Sequence, residues 1–338
     1  MRPQFGIVFT PAPHADLVRW ATLAEEGGFE RLGIADSPSL YRDAYALMAV
    51  VLSKTRRIHV GPRVTNPMLV HPGVMASTLA SLSELSGGRV YMGIGTGHSA
   101  LLNVGLKPAS LGTLRSFVVA VRSLLTTGEA EWQGKHARMT WRAEQPVPIY
   151  VAAGGPKSLE MAGEIGDGVI IGNGMTPEVV VHDMACIERG ARTSGRALRD
   201  LHLQWLMAAC VADDPEQAGR EARAQMCSNA HSVFQHGIEG QFVPAPLKER
   251  VQALSDGYMV TEHARPGESA HNAQLVDELG LREYLMDRFG IVGSPERCVE
   301  RIKELQSRGI NAFWMSVHTT EKERVIRLLS EKVLPHFL

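Results

Sequence analysis

The chain has 338 residues, 44% of them hydrophobic and 21% charged, with a formal net charge of −1. That balance excludes the basic footprint of a nucleic-acid or anionic-membrane binder, and no apolar run approaches the ~20 residues needed to span a bilayer. The start, MRPQFGIVFTPAPH, carries no long apolar segment behind basic residues, so a cytoplasmic protein is expected.

In chain order, the first strand is expected at 5–9 and the first helix at 16–26. Gly27-Gly28 then precedes FERLGIAD, which places a second strand at 31–35 ending in Asp36-Ser37-Pro38. A helix over about 44–54 leads to a third strand at 58–64, tipped by Thr65 and Asn66. HPGVMASTLASLSEL has helical spacing with Pro72 in its first turn, and Ser86-Gly87-Gly88 feeds a fourth strand at 89–95. Residues 111–127 form an amphipathic helix, and EAEWQGKHARMTW is expected to be a hairpin turning at Gln133-Gly134. Strands at 147–153, 169–171 and 203–212 alternate with helices at 156–164 and 177–194. From 213 to about 288 the alternation loosens into helical pieces, too long for a simple connection, so this stretch is an insertion. The helix ERCVERIKELQSRG, an eighth strand at 312–317 and a closing helix at 321–334 complete the chain. The repeated unit of helix, glycine and buried strand signals parallel βα units. Eight of them predict an α/β fold, a (β/α)8 TIM barrel formed by residues 1–338 as one domain, with the insertion after the seventh strand.

In such a barrel the site lies at the carboxyl ends of the strands. The residues there are Thr10 and Pro11, Asp36 and Ser37, Thr65 and Asn66, Gly95 to Ser99, Ala153 to Gly155, and Gly172 to Gly174. They are small, glycine-rich and lightly charged, which suits a planar cofactor packed against backbone. Gly154-Gly155-Pro156 opens a helix directly after a strand, and Gly172-Asn173-Gly174-Met175-Thr176-Pro177 repeats the arrangement. Free amides at such helix starts favour phosphate. Either turn alone is equally well a tight βα connection, and the adjacency of the two favours phosphate. Gly95-x-Gly97-x-x-Ala100 matches the dinucleotide fingerprint, but residues 101–128 contain no Asp or Glu, so these glycines are assigned to close approach of a ring to the backbone.

His98, in the middle of that small-residue strand end, is either a proton donor or a neutral hydrogen-bonding group that positions a ligand. Asp36 either accepts a hydrogen bond from a ligand or caps the next segment. His71 is structural, while His263 in the insertion and His318 after the eighth strand are candidates for facing substrate. The 13 histidines are scattered, without His-x-His or His-Glu-x-x-His. Cys186, Cys210, Cys227 and Cys298 form no Cys-x-x-Cys pair. No metal and no disulfide framework are expected, the thiols are expected to be buried, and the absence of a Gly-x-Ser-x-Gly elbow argues against serine hydrolysis.

TNPMLVHPGVMASTLASLSELSGGRVYMGIGTG resembles the bacterial luciferase-like superfamily, especially its branch similar to methylenetetrahydromethanopterin reductase. AAGGPKSLEMAGEIGDGVIIGNG and FGIVGSPERCVERIKELQSRGI resemble later segments of the same family. The resemblance implies a flavin- or deazaflavin-dependent oxidoreductase, a barrel that is usually a homodimer and binds FMN or coenzyme F420 at the strand ends. Carried over by position, it sets Thr65 and Asn66 at the cofactor ring, beside Gly95, Thr96 and Gly97, the stretch read above as the close approach of a ring to the backbone. Ala153, Gly154, Gly155, Gly172, Asn173 and Gly174 fall on its phosphate side, with Asp36 and His98 near the reacting face. Members of the deazaflavin branch resemble one another in a strained non-proline cis peptide at the third strand. Here Arg63-Val64 stands where a small residue before Val64 is expected, and His98 stands where the branch often has an acid.

The implied activity is hydride transfer between coenzyme F420 and a small organic substrate, with His98 as acid and Asp36 as orienting group. The alternatives are an FMN-dependent monooxygenase that receives reduced flavin from a separate reductase, and a non-catalytic flavin-binding barrel. No nucleic-acid or membrane partner is expected.

Overall fold

Short apolar runs, several of them preceded by glycine, make strands that bury both faces, and the chain assembles them into a parallel barrel. A computed structural model describes residues 2–38, 40–262, 265–267 and 269–338. Its barrel strands are β1 (Gln4–Phe9), β2 (Arg31–Ile34), β3 (His59–Pro62) and β4 (Met92–Ile94). After the hairpin β5 (Glu129–Trp132) and β6 (Lys135–Arg138) come β7 (Ile149–Ala153), β8 (Gly168–Ile171), β9 (His202–Val211), β10 (Gly290–Gly293) and β11 (Ala312–Ser316). The sheet runs β3-β2-β1-β11-β9-β8-β7-β4, and every pairing along it is parallel. Its two ends meet, because the Val60 amide donates to the Arg89 carbonyl and the Thr65 amide to the Gly93 carbonyl, each at 2.9 Å. Eight strands thus close on themselves, as the sequence predicts.

Aromatic side chains fill the barrel where small residues make room. Tyr91, Tyr150 and Trp314 form an inner cluster with Val8 and Ile170, the Tyr91 ring 5.5 Å from Tyr150 and 5.6 Å from Trp314. At Gly6 a Cβ would come within 2.8 Å of the Trp314 ring, so β1 must be bare there. Outside the barrel, helices α1 (His14–Glu26), α2 (Ala44–Lys54) and α3 (Pro72–Ser86) pack in order. α3 begins as its sequence dictates, with Pro72 in the first turn and His71 Nδ1 accepting from the Gly73 amide at 3.0 Å, and it stops at Gly87 with φ of 66°. A short helix α4 (Ser99–Leu102) follows β4, then come α5 (Leu111–Thr126), α6 (Pro156–Ile165) and α7 (Pro177–Thr193).

The insertion is helical, as expected: α8 (Pro215–Phe234), α9 (Lys248–Gly257), α10 (His271–Glu278) and α11 (Arg282–Phe289). Glu221 on α8 fastens it to the barrel, its Oε2 accepting from Thr319 Oγ1 at 2.7 Å and from Arg324 Nη2 at 2.6 Å. One strand is not anticipated. β10 pairs in parallel with the outer end of β9, Gly290 opposite Ala208 and Gly293 opposite Val211, before α12 (Pro295–Ser307). The closing helix is also shorter than expected: α13 (Lys322–Leu328) passes into a π turn at Leu329–Val333 and a 3-10 turn at Leu334–His336. The hairpin turns at Gln133 and Gly134, with φ of 52° and 72°. The peptide between Arg63 and Val64 is cis. All four cysteines are free and buried, and among the described residues no helix is long and apolar enough to cross a membrane.

Helices α6 and α7, which start at the two glycine turns, cross at Gly163 and Gly190. A Cβ at Gly190 would run into the Glu160 carbonyl, and one at Gly163 into the Ile187 carbonyl. Overpacking of this kind costs about 1–3 kcal/mol. Gly190→Ala is therefore expected to lower the unfolding free energy by about 2 kcal/mol in urea denaturation. Gly112→Ala, whose Cβ meets only Ser110 Oγ at 3.8 Å, is expected to leave it unchanged or higher.

Candidate active site

The strand tips and α8 enclose a cavity of about 430 Å³ at the barrel mouth. Its floor is apolar, with Val8, Val64, Ala152, Ile170 and Leu206 resting on the inner aromatic cluster. Its rim is polar and comes from the β2, β4, β7 and β8 tips, from His318 after β11 and from one face of α8.

On the β2 side, the Tyr45 hydroxyl of α2 donates to Thr65 Oγ1 at 2.9 Å and lies 3.3 Å from Asp36 Oδ2. Burial raises the Asp36 pKa above the usual carboxylate range, and hydrogen bonds from Thr65 and Tyr45 act against that rise. On the β4 side, His98 precedes the four-residue α4. Burial lowers its pKa, a hydrogen bond with Gln235 opposes this, and His236 adds to the lowering. His98 is thus a neutral imidazole at neutral pH. His231 of α8 lies edge-on to it with ring centres 6.3 Å apart, and itself stacks on Tyr258 at 4.0 Å. Gly97, with φ of 85°, lies so near its neighbours that a Cβ would come within 2.6 Å of Leu101 and 2.9 Å of Asn66.

The β7 and β8 tips are joined through Asn173. Its Nδ2 donates to the Gly154 carbonyl at 2.7 Å and to Asp183 Oδ2 at 2.8 Å, and its backbone carbonyl accepts from Arg288 Nε at 3.1 Å. Ser158 Oγ accepts from the amides of Gly154 and Gly155 at 3.2 and 3.0 Å, so the helix's own side chain satisfies the donors expected to meet phosphate.

Of the residues expected from the sequence, Asp36, Asn66, Gly95, Thr96, Gly97, His98, Ala153, Gly154, Gly172, Asn173 and His318 line this one cavity. Three do not. Thr65 is only 2% exposed, its hydroxyl held by Tyr45. Gly155 is the exposed cap of α6, and Gly174, with φ of 109°, turns against Arg288. His263 lies outside the described residues. Sequence reasoning misses Tyr45, Arg63 and the α8 wall of Gln225, Ser228, Asn229 and Ser232. The last four fall at i, i+3, i+4 and i+7, one helical face, and that spacing is the signal available for them.

An apolar floor, backbone exposed by glycine, and His98 and Asp36 at the rim are what a planar ring system needs, so these residues fit a flavin-type cofactor. Among the described residues no three His, Cys, Asp or Glu side chains gather as a metal site.

A family model for luciferase-like monooxygenases matches residues 4–312. The chain belongs to the luciferase-like family. This luciferase-like protein is 31% identical to a 5,10-methylenetetrahydromethanopterin reductase of Methanolobus tindarius, over 98% of this chain and 99% of that protein. It is 26% identical to an F420-dependent glucose-6-phosphate dehydrogenase of Amycolatopsis mediterranei, over 95% and 93%. In three dimensions it is similar to the coenzyme F420 dependent tetrahydromethanopterin reductase from Methanopyrus kandleri, with a TM-score of 0.83, 24% identity and full coverage of both chains.

The raised Asp36 pKa has a stability consequence with a definite sign. Between the unfolded carboxylate value of about 4 and the folded value, the native state holds the proton more tightly, so stability falls as pH rises across that interval. Asp36→Asn is insensitive to it. The variant's melting temperature relative to wild type is expected to improve as pH rises from about 4 through the folded Asp36 value and to level off above it, as calorimetry at fixed ionic strength will record.

Proposed function

We propose that this luciferase-like protein is an oxidoreductase that binds coenzyme F420 at the barrel mouth and couples it to a small organic substrate. The observation that carries this reading is the single cavity that sets His98 and Asp36 on its rim above an apolar floor. The curated relatives support it, one of them F420-dependent by name. We further propose that residues 1–338 act as a single domain and that the enzyme is a cytoplasmic homodimer.

When bound, coenzyme F420 supplies the hydride chemistry, and the protein supplies binding and orientation. Asn66, Gly95 and Gly97 would hold the ring against backbone, while Gly154, Gly172 and Asn173 would meet its phosphate side. His98 Nδ1 or Nε2 takes the proton from a substrate hydroxyl in the oxidative direction and returns it in the reductive one. Asp36, fixed by Tyr45 and Thr65, orients the substrate group that bears this proton. The α8 wall shuts water from the reacting face.

A second reading, an FMN-dependent monooxygenase fed by a separate flavin reductase, is favoured by the description of the family model itself. A non-catalytic flavin-binding barrel is the third. Turnover under nitrogen with coenzyme F420 separates them: the first predicts activity without oxygen, the second requires oxygen and reduced FMN, and the third gives none. In the oxidative direction the rate is expected to fall as pH drops through the lowered His98 pKa, below about 6.5. His98→Ala is expected to lower kcat by about 10²-fold or more while changing coenzyme affinity much less. Full activity in His98→Ala with an unchanged pH profile removes His98 from the mechanism.

A further inference from the structure

Arg63 lines the cavity as a buried guanidinium. It directly follows β3, is 7% exposed, and runs across Gly33, where a Cβ would lie 2.8 Å from its own. Its guanidinium carbon sits 4.0 Å from the centre of the Trp314 ring, and Nη1 donates to Gln204 Oε1 at 3.0 Å. Nε and Nη2 are buried with no hydrogen-bond partner among the described residues. Burial pulls the pKa of Arg63 down to about 9, so it remains a cation at neutral pH.

The groups packed around it are neutral or cationic. Tyr91, directly before β4, donates its hydroxyl to the Leu32 carbonyl at 2.8 Å, and burial keeps it protonated. Tyr150 of β7 accepts from half-buried Arg31 of β2 at 2.9 Å, and burial raises its pKa too. His202 of β9, pushed down to about 3 by burial and by Arg31 and Arg63, carries no charge. Above, His98 is neutral and Asp36 is the carboxylate on the cavity lining. A buried cation left without a counter-charge is strongly unfavourable, and an apolar side chain of similar volume would avoid that cost. The charge calls for an anion above the floor.

We propose that Arg63 is a fixed positive charge beneath the ring site that selects the anionic form of the planar aromatic system bound above it. The proposal rests on the cofactor reading and deepens it: the ligand class is a ring with an ionisable hydroxyl or ring N–H, as in a deazaflavin or a reduced flavin. In a low-dielectric interior an opposite charge favours the ionised form, and among the described residues no carboxylate pairs with Arg63 to compete for it.

The test is an absorbance titration, from pH 5 to 9, of coenzyme F420 bound to wild type and to Arg63→Met, Arg63→Gln and Arg63→Lys. The ring hydroxyl is expected to ionise about one pH unit lower on wild type than on Arg63→Met, a tenfold change in its ionisation constant. Arg63→Lys is expected to restore the shift by keeping the charge, and Arg63→Gln, which keeps only a hydrogen bond, is not. Both neutral variants should unfold at the same temperature as wild type or higher, because they remove an uncompensated charge. Equal ionisation on wild type and Arg63→Met, or restoration by Arg63→Gln, overturns the proposal. If wild type binds FMN and not F420, the F420 reading fails separately, and the proposal then predicts a more negative midpoint potential for FMN bound to Arg63→Met. An unchanged potential overturns it. Binding of neither ring overturns both.

Discussion

The mouth of the barrel depends on Asn173. Its side-chain amide ties the β8 tip to the Gly154 carbonyl at the β7 tip and to Asp183 inside α7, while its carbonyl receives Arg288 from the end of the insertion. Arg288 is fully buried, its guanidinium over Phe234 and Phe289, and its own carbonyl accepts from the Met175 amide at 2.7 Å. One carboxamide and one guanidinium therefore lock two strand tips, a helix and the insertion into a single frame. A cavity wall made of glycine has no side chains to stiffen it, and this frame supplies the stiffness.

Within that frame, burial sets the charge state of each group. It lifts Asp36 and lowers His98, drawing the two rim groups toward each other, and it neutralises His202 in the layer below. Arg63 is the exception, a permanent cation in a layer otherwise made of aromatic rings and amides. Arg63 itself lines the cavity among apolar side chains, so its field reaches a bound ring with little screening. The architecture thus separates proton chemistry, at the rim, from electrostatic bias, at the floor.

The barrel was legible because glycine follows several of its helices, as at Gly27, Gly87, Gly166 and Gly309, and each following strand is a short apolar run. β10 was not, since Gly290-Ile-Val-Gly293 has four residues, no alternation, and leads straight into the Ser294-Pro295 helix start. The strand tips were legible as a site because parallel closure sends every one of them to the same mouth. What stayed hidden were contributions from other elements: Tyr45 reaches in from α2, and the α8 residues are polar side chains that read as a solvated helix face. Gly155 and Gly174 show the reverse error. A helix cap and a positive φ already account for those glycines, so their presence said nothing about where the backbone faces.

The central claim, that the mouth is a ring site for coenzyme F420, is tested most directly by fluorescence titration of the purified protein with F420 and with FMN, each oxidised and reduced. The account predicts saturable F420 binding at least tenfold tighter than FMN, weakened when Gly97→Val fills the close approach to Asn66 and Leu101. Preferential binding of reduced FMN, or F420 binding that Gly97→Val leaves untouched, would contradict it.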